Sequence, residues 1–459
     1  MSESDRLTMR LRSELLRAVS SVEPDLRWAD IAGKSQDRKR RRRVVRTAAV
    51  VALVAAVSLG GLQVNGRDDQ ARDPAVIVLD SAYAANNEGK EVGSFSGKAE
   101  QPPRIIEAKF AASVPGTVRT LIQAGGVLIA AGMEENAGTV WRSTDQGITW
   151  MPVTSYPNMA FTSLALHDGV VVAAGNSSAP EEATLVRSED QGATWEEVTL
   201  PGDGLVDAVI AHDGFVALGS AADQPQGASV VWTSPDGLHW KLRPMGIGQG
   251  YAAALVSDGE RLLAAGFLGG DSPEETEHPA IWLSADGGVS WQQQPLAGLD
   301  ELDLGGGEGQ RRLGDGLQSI AWDSVTGTFV ALGGLYPSGG EGEQPSPEDA
   351  GTLVALSEDG TNWKTVVASE SLWSVSALRQ GGFLANGQKD PGDSLKSYMF
   401  TSGDGQSWTA GAAVQGLAGP SITPLSPRSA LVFGEAIESD DSGGLRPNGT
   451  QIWRIELAL

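Results

Sequence analysis

The sequence of 459 residues contains no cysteine, so it can form no disulfide, no thiolate metal site and no catalytic thiol. For an exported domain that absence points to a bacterium, because secreted eukaryotic domains are often stapled by disulfides. Histidine has only 4 copies and tyrosine 5. His167 and His212 stand in repeated His-Asp-Gly turns, His239 lies inside a turn phrase described below, and His278 sits in an acidic stretch. That scatter has no zinc-ligand spacing. Basic residues are in deficit, 34 Lys+Arg against 58 Asp+Glu, which argues against a nucleic-acid partner. Phosphate-loop spacing is missing too, since Gly305-Gly-Gly-Glu-Gly309 lacks a following Lys-Ser/Thr.

The deficit of positive charge is uneven. Residues 1–46 carry 13 basic and 7 acidic side chains, whereas the rest of the chain carries 21 and 51. Thr47 to Gly66 holds no charge over 20 residues. At about 1.5 Å per residue such a helix just crosses a hydrocarbon core of about 30 Å. The run Arg38-Lys39-Arg40-Arg41-Arg42-Arg43, with Arg46, abuts its N-terminal end. The positive-inside rule therefore predicts a single-pass cell-membrane protein with a cytosolic N-terminus and an extracellular C-terminal domain. A cleaved signal peptide and a buried helix are the competing readings, and the former would need an unusually long charged region.

This gives four segments: a cytosolic stub over 1–46, a transmembrane helix over 47–66, a flexible extracellular linker over 67–102 and a folded domain over 103–459. In the stub, Leu7, Leu11, Leu15 and Val19 predict one face of a short helix. In the linker, Val76-Ile-Val-Leu79 is the one apolar piece, expected to pair no further than locally. The layout of stub, Arg-rich run and single span is similar in topology to membrane anti-sigma factors of actinobacteria, without their His/Cys zinc signature. The Ala/Arg/Gly-rich character likewise points to an actinomycete.

The folded domain repeats one phrase six times: Ser143-Thr-Asp145-Gln-Gly147-Ile-Thr-Trp150, Ser188-Glu-Asp190-Gln-Gly192-Ala-Thr-Trp195, Ser234-Pro-Asp236-Gly237-Leu-His-Trp240, Ser284-Ala-Asp286-Gly-Gly288-Val-Ser-Trp291, Ser357-Glu-Asp359-Gly360-Thr-Asn-Trp363 and Ser402-Gly-Asp404-Gly405-Gln-Ser-Trp408. Asp accepts hydrogen bonds from N–H groups just ahead of it and Gly supplies positive φ, so each phrase predicts a hairpin turn. The Trp that follows is large enough to seal a seam between neighbouring sheets. A second signature, an apolar strand ending in Gly, occurs seven times, from Val127-Leu-Ile-Ala-Ala-Gly132 to Ala430-Leu-Val-Phe-Gly434.

Seven such units predict an all-β fold, a seven-bladed β-propeller of four-stranded blades, preceded by the cytosolic helix and the transmembrane helix. The last unit lacks its outermost strand, and Arg104-Ile-Ile-Glu-Ala-Lys-Phe110 is expected to supply it beside Ile452 to Ile455. The interval from Asp286 to Asp359 is 73 residues but holds one strand signature, so its excess reads as loop over Leu296 to Gly316 and Tyr336 to Ala350.

The phrase resembles the Asp box of the bacterial neuraminidase repeat, found in sialidases, sortilin-type receptors and photosystem II assembly factors. The copies at Asp145, Asp190 and Asp286 match its Ser-x-Asp-x-Gly-x-x-Trp spacing, and those at Asp236, Asp359 and Asp404 are one residue shorter. The resemblance implies that the boxes, including Trp150, Trp195, Trp240, Trp291, Trp363 and Trp408, are scaffold and that function lies on the opposite face. There the B–C loops gather carboxylates: Glu134 and Glu135; Glu181 and Glu182; Asp271 and Glu274; Glu341 and Glu343; Asp390 and Asp393; Asp440 and Asp441. Such loops serve solubility, or else dock a basic protein, a cationic ligand or Ca²⁺, although none has EF-hand spacing.

Sialidases use three arginines, a Tyr nucleophile assisted by Glu, and a Phe/Tyr-Arg-Ile-Pro motif. Pro103-Arg104-Ile-Ile106 departs from that motif on both sides of Arg-Ile. Arg142 and Arg187 precede Asp boxes on outer strands, and Tyr251 with Glu260 nearby reads as packing. No catalytic residue is assigned and no cofactor is expected. The sequence therefore points to a monomeric propeller that binds a protein or glycan ligand without catalysis. A sialidase-like glycoside hydrolase is the alternative, and an envelope sensor signalling through the stub is a third reading.

Overall fold

The computed structural model describes Ile77 and Val78 and residues 103–459, apart from 178–181, 222–228, 249, 270–277, 300–301, 303–310, 314–315, 338–350, 390–395, 416, 440–444 and 459. The predicted stub, the span over 47–66 and nearly all of the linker lie outside the described residues. Among the described residues no helix is long and apolar enough to cross a membrane.

Seven sheets, antiparallel apart from one short edge strand, follow one another along the chain. Their innermost strands, A, are Thr117–Ala124, Met159–His167, Gly204–Ala211, Gly250–Ser257, Ser319–Trp322, Ser371–Ala377 and Leu417–Ser426. Each touches the A strand of the next sheet, and the seventh touches the first, so the sheets close a ring as the blades of a propeller. Strands B are short apolar runs such as Phe215–Ala221, buried because both faces of a blade are covered by its neighbours.

The core is divided among the seams. Seven hydrophobic clusters each join two adjacent blades. One of them packs Leu431, Phe433 and Ile452 of blade 7 against Val118, Leu128 and Trp141 of blade 1, so the closing seam is as apolar as the rest. Buried hydroxyls stitch the same seams. Ser229 of blade 3 accepts from the Ala252 N–H of blade 4 at 3.0 Å, Thr352 of blade 5 from Leu372 of blade 6 at 2.7 Å, and Thr450 of blade 7 from Val118 of blade 1 at 2.8 Å. Buried N–H groups that would otherwise lack a partner are thereby satisfied.

The missing outer strand is supplied by Arg104–Val114, longer than the sequence suggested, with Ala108 opposite Ile455 and Ala112 opposite Ile452. Two expectations need correction. Ile77–Val78 pairs not locally but with this closing strand, Ile77 opposite Ala108 and Val78 opposite Glu107, as a fifth strand of blade 7. The long interval before Asp359 is not all loop. Leu296–Ala297 runs parallel to Trp363–Ala368 on the outer edge of blade 5, and Arg311–Leu313 pairs with the end of Phe329–Pro337 on its inner side. The physical reason is apolar: Leu296, Leu299 and Leu302 pack against the seam between blades 4 and 5.

Candidate functional site

A propeller offers two faces. The Asp boxes join strands C and D, so they share one face with the A–B turns, and the B–C loops share the other. In all six boxes the Ser hydroxyl donates to the Asp carboxylate at 2.8–3.1 Å and accepts from the Gly N–H at 2.8–2.9 Å. The same carboxylate oxygen accepts two further N–H groups of the turn, for example Ala193 and Thr194 at 2.9 Å. The Thr149 hydroxyl first, then its N–H, holds the Asp145 carboxyl down at about 2. The Thr194 hydroxyl does so for Asp190, and the Ser290 hydroxyl for Asp286, each also to about 2. The His239 ring lowers Asp236 further. Burial would push Asp359 up, but the backbone and side chain of Asn362 and the Thr361 N–H outweigh it.

Each box also touches the preceding blade. All six box tryptophans lie in or against the cluster shared with that blade, and four indole N–H groups donate to the box glycine carbonyl at 2.9–3.1 Å. The indole nitrogens of Trp291 and Trp408 are buried without a partner. Arginines hold the turns from the neighbouring blade. Arg142 donates to the Gln191 carbonyl at 3.0 Å, Arg187 to Asp236 at 2.8 Å, Arg454 to Gln146 at 2.7 Å, and Arg261 to Asp359. The long and short boxes differ in one residue. Gln146, Gln191 and Gly287 are extra left-handed residues, at φ 63°, 57° and 67°, before the left-handed box glycine.

Of the acidic loop residues, Glu134 ends a strand half-buried, Glu135 is exposed at φ 54° in a tight turn, and Glu182 is exposed. Glu181, Asp271, Glu274, Glu341, Glu343, Asp390, Asp393, Asp440 and Asp441 lie outside the described residues. Among the described residues no three His, Asp or Glu side chains converge as a metal site.

The structure brings together a different set. Six A strands break register near their start, skipping Arg119, Thr162, Asp207, Ala253, Trp373 and the pair Gly419-Pro420. In blade 5 the matching residue is Gln318, just before Ser319–Trp322. Bulges of this kind re-aim a side chain out of the ladder. Both faces of each blade are covered, so an exposed side chain at this point opens into the central channel. Arg119 and Gln318 are exposed, and Trp373 is 43% exposed. The bulges lie where the A strands begin, toward the face away from the Asp boxes. The Tyr251 hydroxyl donates to Asp207 Oδ2 at 2.9 Å, and its ring lies 5.6 Å from Phe267.

Sequence reading passed over this ring, although a signal exists. The seven triplets Arg119-Thr-Leu, Thr162-Ser-Leu, Asp207-Ala-Val, Ala253-Ala-Leu, Gln318-Ser-Ile, Trp373-Ser-Val and Pro420-Ser-Ile share a small residue followed by an aliphatic one. The first residue varies freely. The small residue reaches the next blade where it can: Ser163 bonds both backbone groups of Val209 at 3.0–3.2 Å, and Ser319 accepts from Val375 at 3.0 Å.

No protein-family model matches the chain, and no curated protein does. Among solved structures the fold is similar to YCF48 bound to a D1 peptide, at 15% identity and TM-score 0.45 over 78% of this chain and 97% of that one. It is similar to an ancestral GH74 enzyme at 13% identity and TM-score 0.46, over 76% of this chain and 48% of the enzyme. The endosialidase of phage phi92 shows 8% identity and TM-score 0.41, over 77% and 69%. These are likenesses of fold alone.

Proposed function

We propose that the protein is a membrane-anchored extracellular propeller that binds a protein or glycan ligand without catalysis. In this reading residues 47–66 span the membrane, the N-terminus is cytosolic and the Asp boxes are scaffold. The observation that carries the binding assignment is the ring of bulges. Six blades give up ladder register near the start of their A strands, the residue skipped there differs from blade to blade, and Arg119, Trp373 and the matching Gln318 of blade 5 are exposed. Packing accounts for the uniform small-aliphatic pair that follows, and recognition of a ligand accounts for the variety. Glu134, Glu135 and Glu182, at the connections between strands B and C, would favour a cationic partner or Ca²⁺.

The test is ligand capture by the full chain in detergent micelles against a variant carrying Arg119→Ala, Gln318→Ala and Trp373→Ala. Loss of capture with an unchanged unfolding midpoint is expected; equal capture overturns the assignment. A second reading, a sialidase-like glycoside hydrolase, is favoured by the Tyr251–Asp207 pair. Against it stands the lone arginine of the ring, Arg119. Turnover of fluorogenic sialosides or other glycosides, abolished by Tyr251→Phe, would replace the first reading.

A further inference from the structure

The residue opposite the first position after the bulge is known for every blade from the strand register: Ala131, Ala174, Leu218, Ala265, Leu332, Asn386 and Phe433. Six are apolar and buried. Asn386 is 1% exposed and breaks the rule. A buried amide is unfavourable unless its hydrogen bonds are made, and an apolar residue evidently fits the same place in six other blades. Asn386 spends its bonds on the bulges. Its Oδ1 accepts from the Ser374 N–H at 3.0 Å and the Ser374 hydroxyl at 2.5 Å, and its Nδ2 donates to the Pro420 carbonyl at 2.5 Å. It thus fixes the backbone on the C-terminal side of Trp373 and the bulge of the next blade together. Asn176 of blade 2 holds only the next blade's bulge, beside Asp207: its Oδ1 accepts from the Val206 N–H at 2.9 Å and its Nδ2 donates to the Val206 carbonyl at 2.8 Å.

We infer that the channel mouth binds a neutral hexopyranose, the end of a glycan, on the face of Trp373, and that Asn386 is the residue that positions that indole. The inference rests on the proposed binding role of the mouth. An indole face held rigidly in a concave wall covers the C–H face of a sugar ring, and few other side chains present so much flat apolar area. A sugar also carries hydroxyls that both donate and accept. The other ring members match that mixed demand, with Arg119 donating, Asp207 accepting, and Thr162 and Gln318 able to do either. One arginine and one aspartate leave the formal charge of the ring at zero, which suits a neutral hexose better than a charged one. Rigid placement lowers the entropy lost on binding, which gives a reason for burying an amide at one blade in seven.

The test uses the full chain in detergent micelles on one array carrying neutral hexose-terminated oligosaccharides, sialylated oligosaccharides and peptides. Wild type is expected on the neutral hexoses, with Trp373→Ala weakened tenfold or more. Asn386→Leu installs the residue that blades 3 and 5 carry. It is expected to weaken binding by the folded protein about tenfold and, because the Ser374 N–H and the Pro420 carbonyl lose their partner, to lower the unfolding midpoint as well. A merely structural Asn386 would lower the midpoint but leave binding by the still-folded protein at the wild-type level, and that result removes its positioning role. Equal binding by Trp373→Ala, or binding confined to sialylated glycans, overturns the sugar assignment. Binding confined to peptides and lost in Trp373→Ala overturns the sugar but keeps the mouth as a binding site. Binding to nothing on the array overturns both.

Discussion

Gly405 offers a sharp test of whether the Asp boxes fasten one blade to the next. Alanine there would place its Cβ 2.4 Å from Val330 Cγ2, 2.8 Å from Leu356 Cδ2 and 3.5 Å from Phe383 Cε2. Val330 and Leu356 belong to the preceding blade and are 0% and 1% exposed, so neither can swing into solvent. The backbone adds a second penalty, because Gly405 sits at φ +75°. An L-residue in that region costs about 1 kcal/mol, and wedging a methyl into a filled core costs about 1–3 kcal/mol more. Gly405→Ala should therefore lose roughly 2–4 kcal/mol. Gly169 supplies the control, being at φ +83° with nothing within 4 Å of an added Cβ. Gly169→Ala should lose only the backbone share, about 1 kcal/mol. Guanidinium unfolding followed by tryptophan fluorescence, comparing midpoints at equal slope, reads the difference. Equal losses for the two variants would mean that the box glycine serves its own turn and nothing across the seam.

The box carboxylates make stability depend on acid. Asp145, Asp190 and Asp286 are held near 2, below the unfolded value of about 3.9, so their contribution is complete above about pH 4 and fades as pH falls toward 2. The gap in unfolding midpoint between wild type and Asp190→Asn should shrink over that window; a gap unchanged from pH 6 to pH 2 refutes the assignment. The pairing of Ile77 with Ala108 can be tested cleanly in a chain without cysteine. Mild oxidation of Ile77→Cys/Ala108→Cys should consume both thiols, as directly opposed strand residues lie within disulfide reach. Persistent reactivity of both would contradict the fifth strand of blade 7.

What could be read from the chain was what a few consecutive residues encode. Ser-x-Asp-x-Gly builds its turn from bonds that begin and end within it, and Val-Ala-Leu-Gly is buried on both faces wherever it lands. Counting those units also placed Arg104 through Phe110 in the last blade. The bulge ring escaped because a bulge is defined by its partner's register, and Trp373 alone is one of 13 tryptophans. Asn386 escaped for the same reason: Phe-Leu-Ala-Asn-Gly differs little from Phe-Val-Ala-Leu-Gly until the seven strands are laid side by side. Ile77–Val78 and Leu296–Ala297 are too short for a periodic signal, and their placement depends on edges that distant residues create.

The closing strand carries a consequence in time. Val114 of this strand pairs with Thr450 and Ala108 with Ile455, so the segment that completes the last blade is synthesised long before the strand it joins. At about 5–20 residues per second, the first strand waits on the order of 20–70 seconds for the strand it must join. Its outward Ile106 and Phe110 remain 50% and 37% exposed even in the finished ring. During synthesis the side of that strand which will join the seventh blade is an open apolar edge, the kind of edge that pairs with other chains.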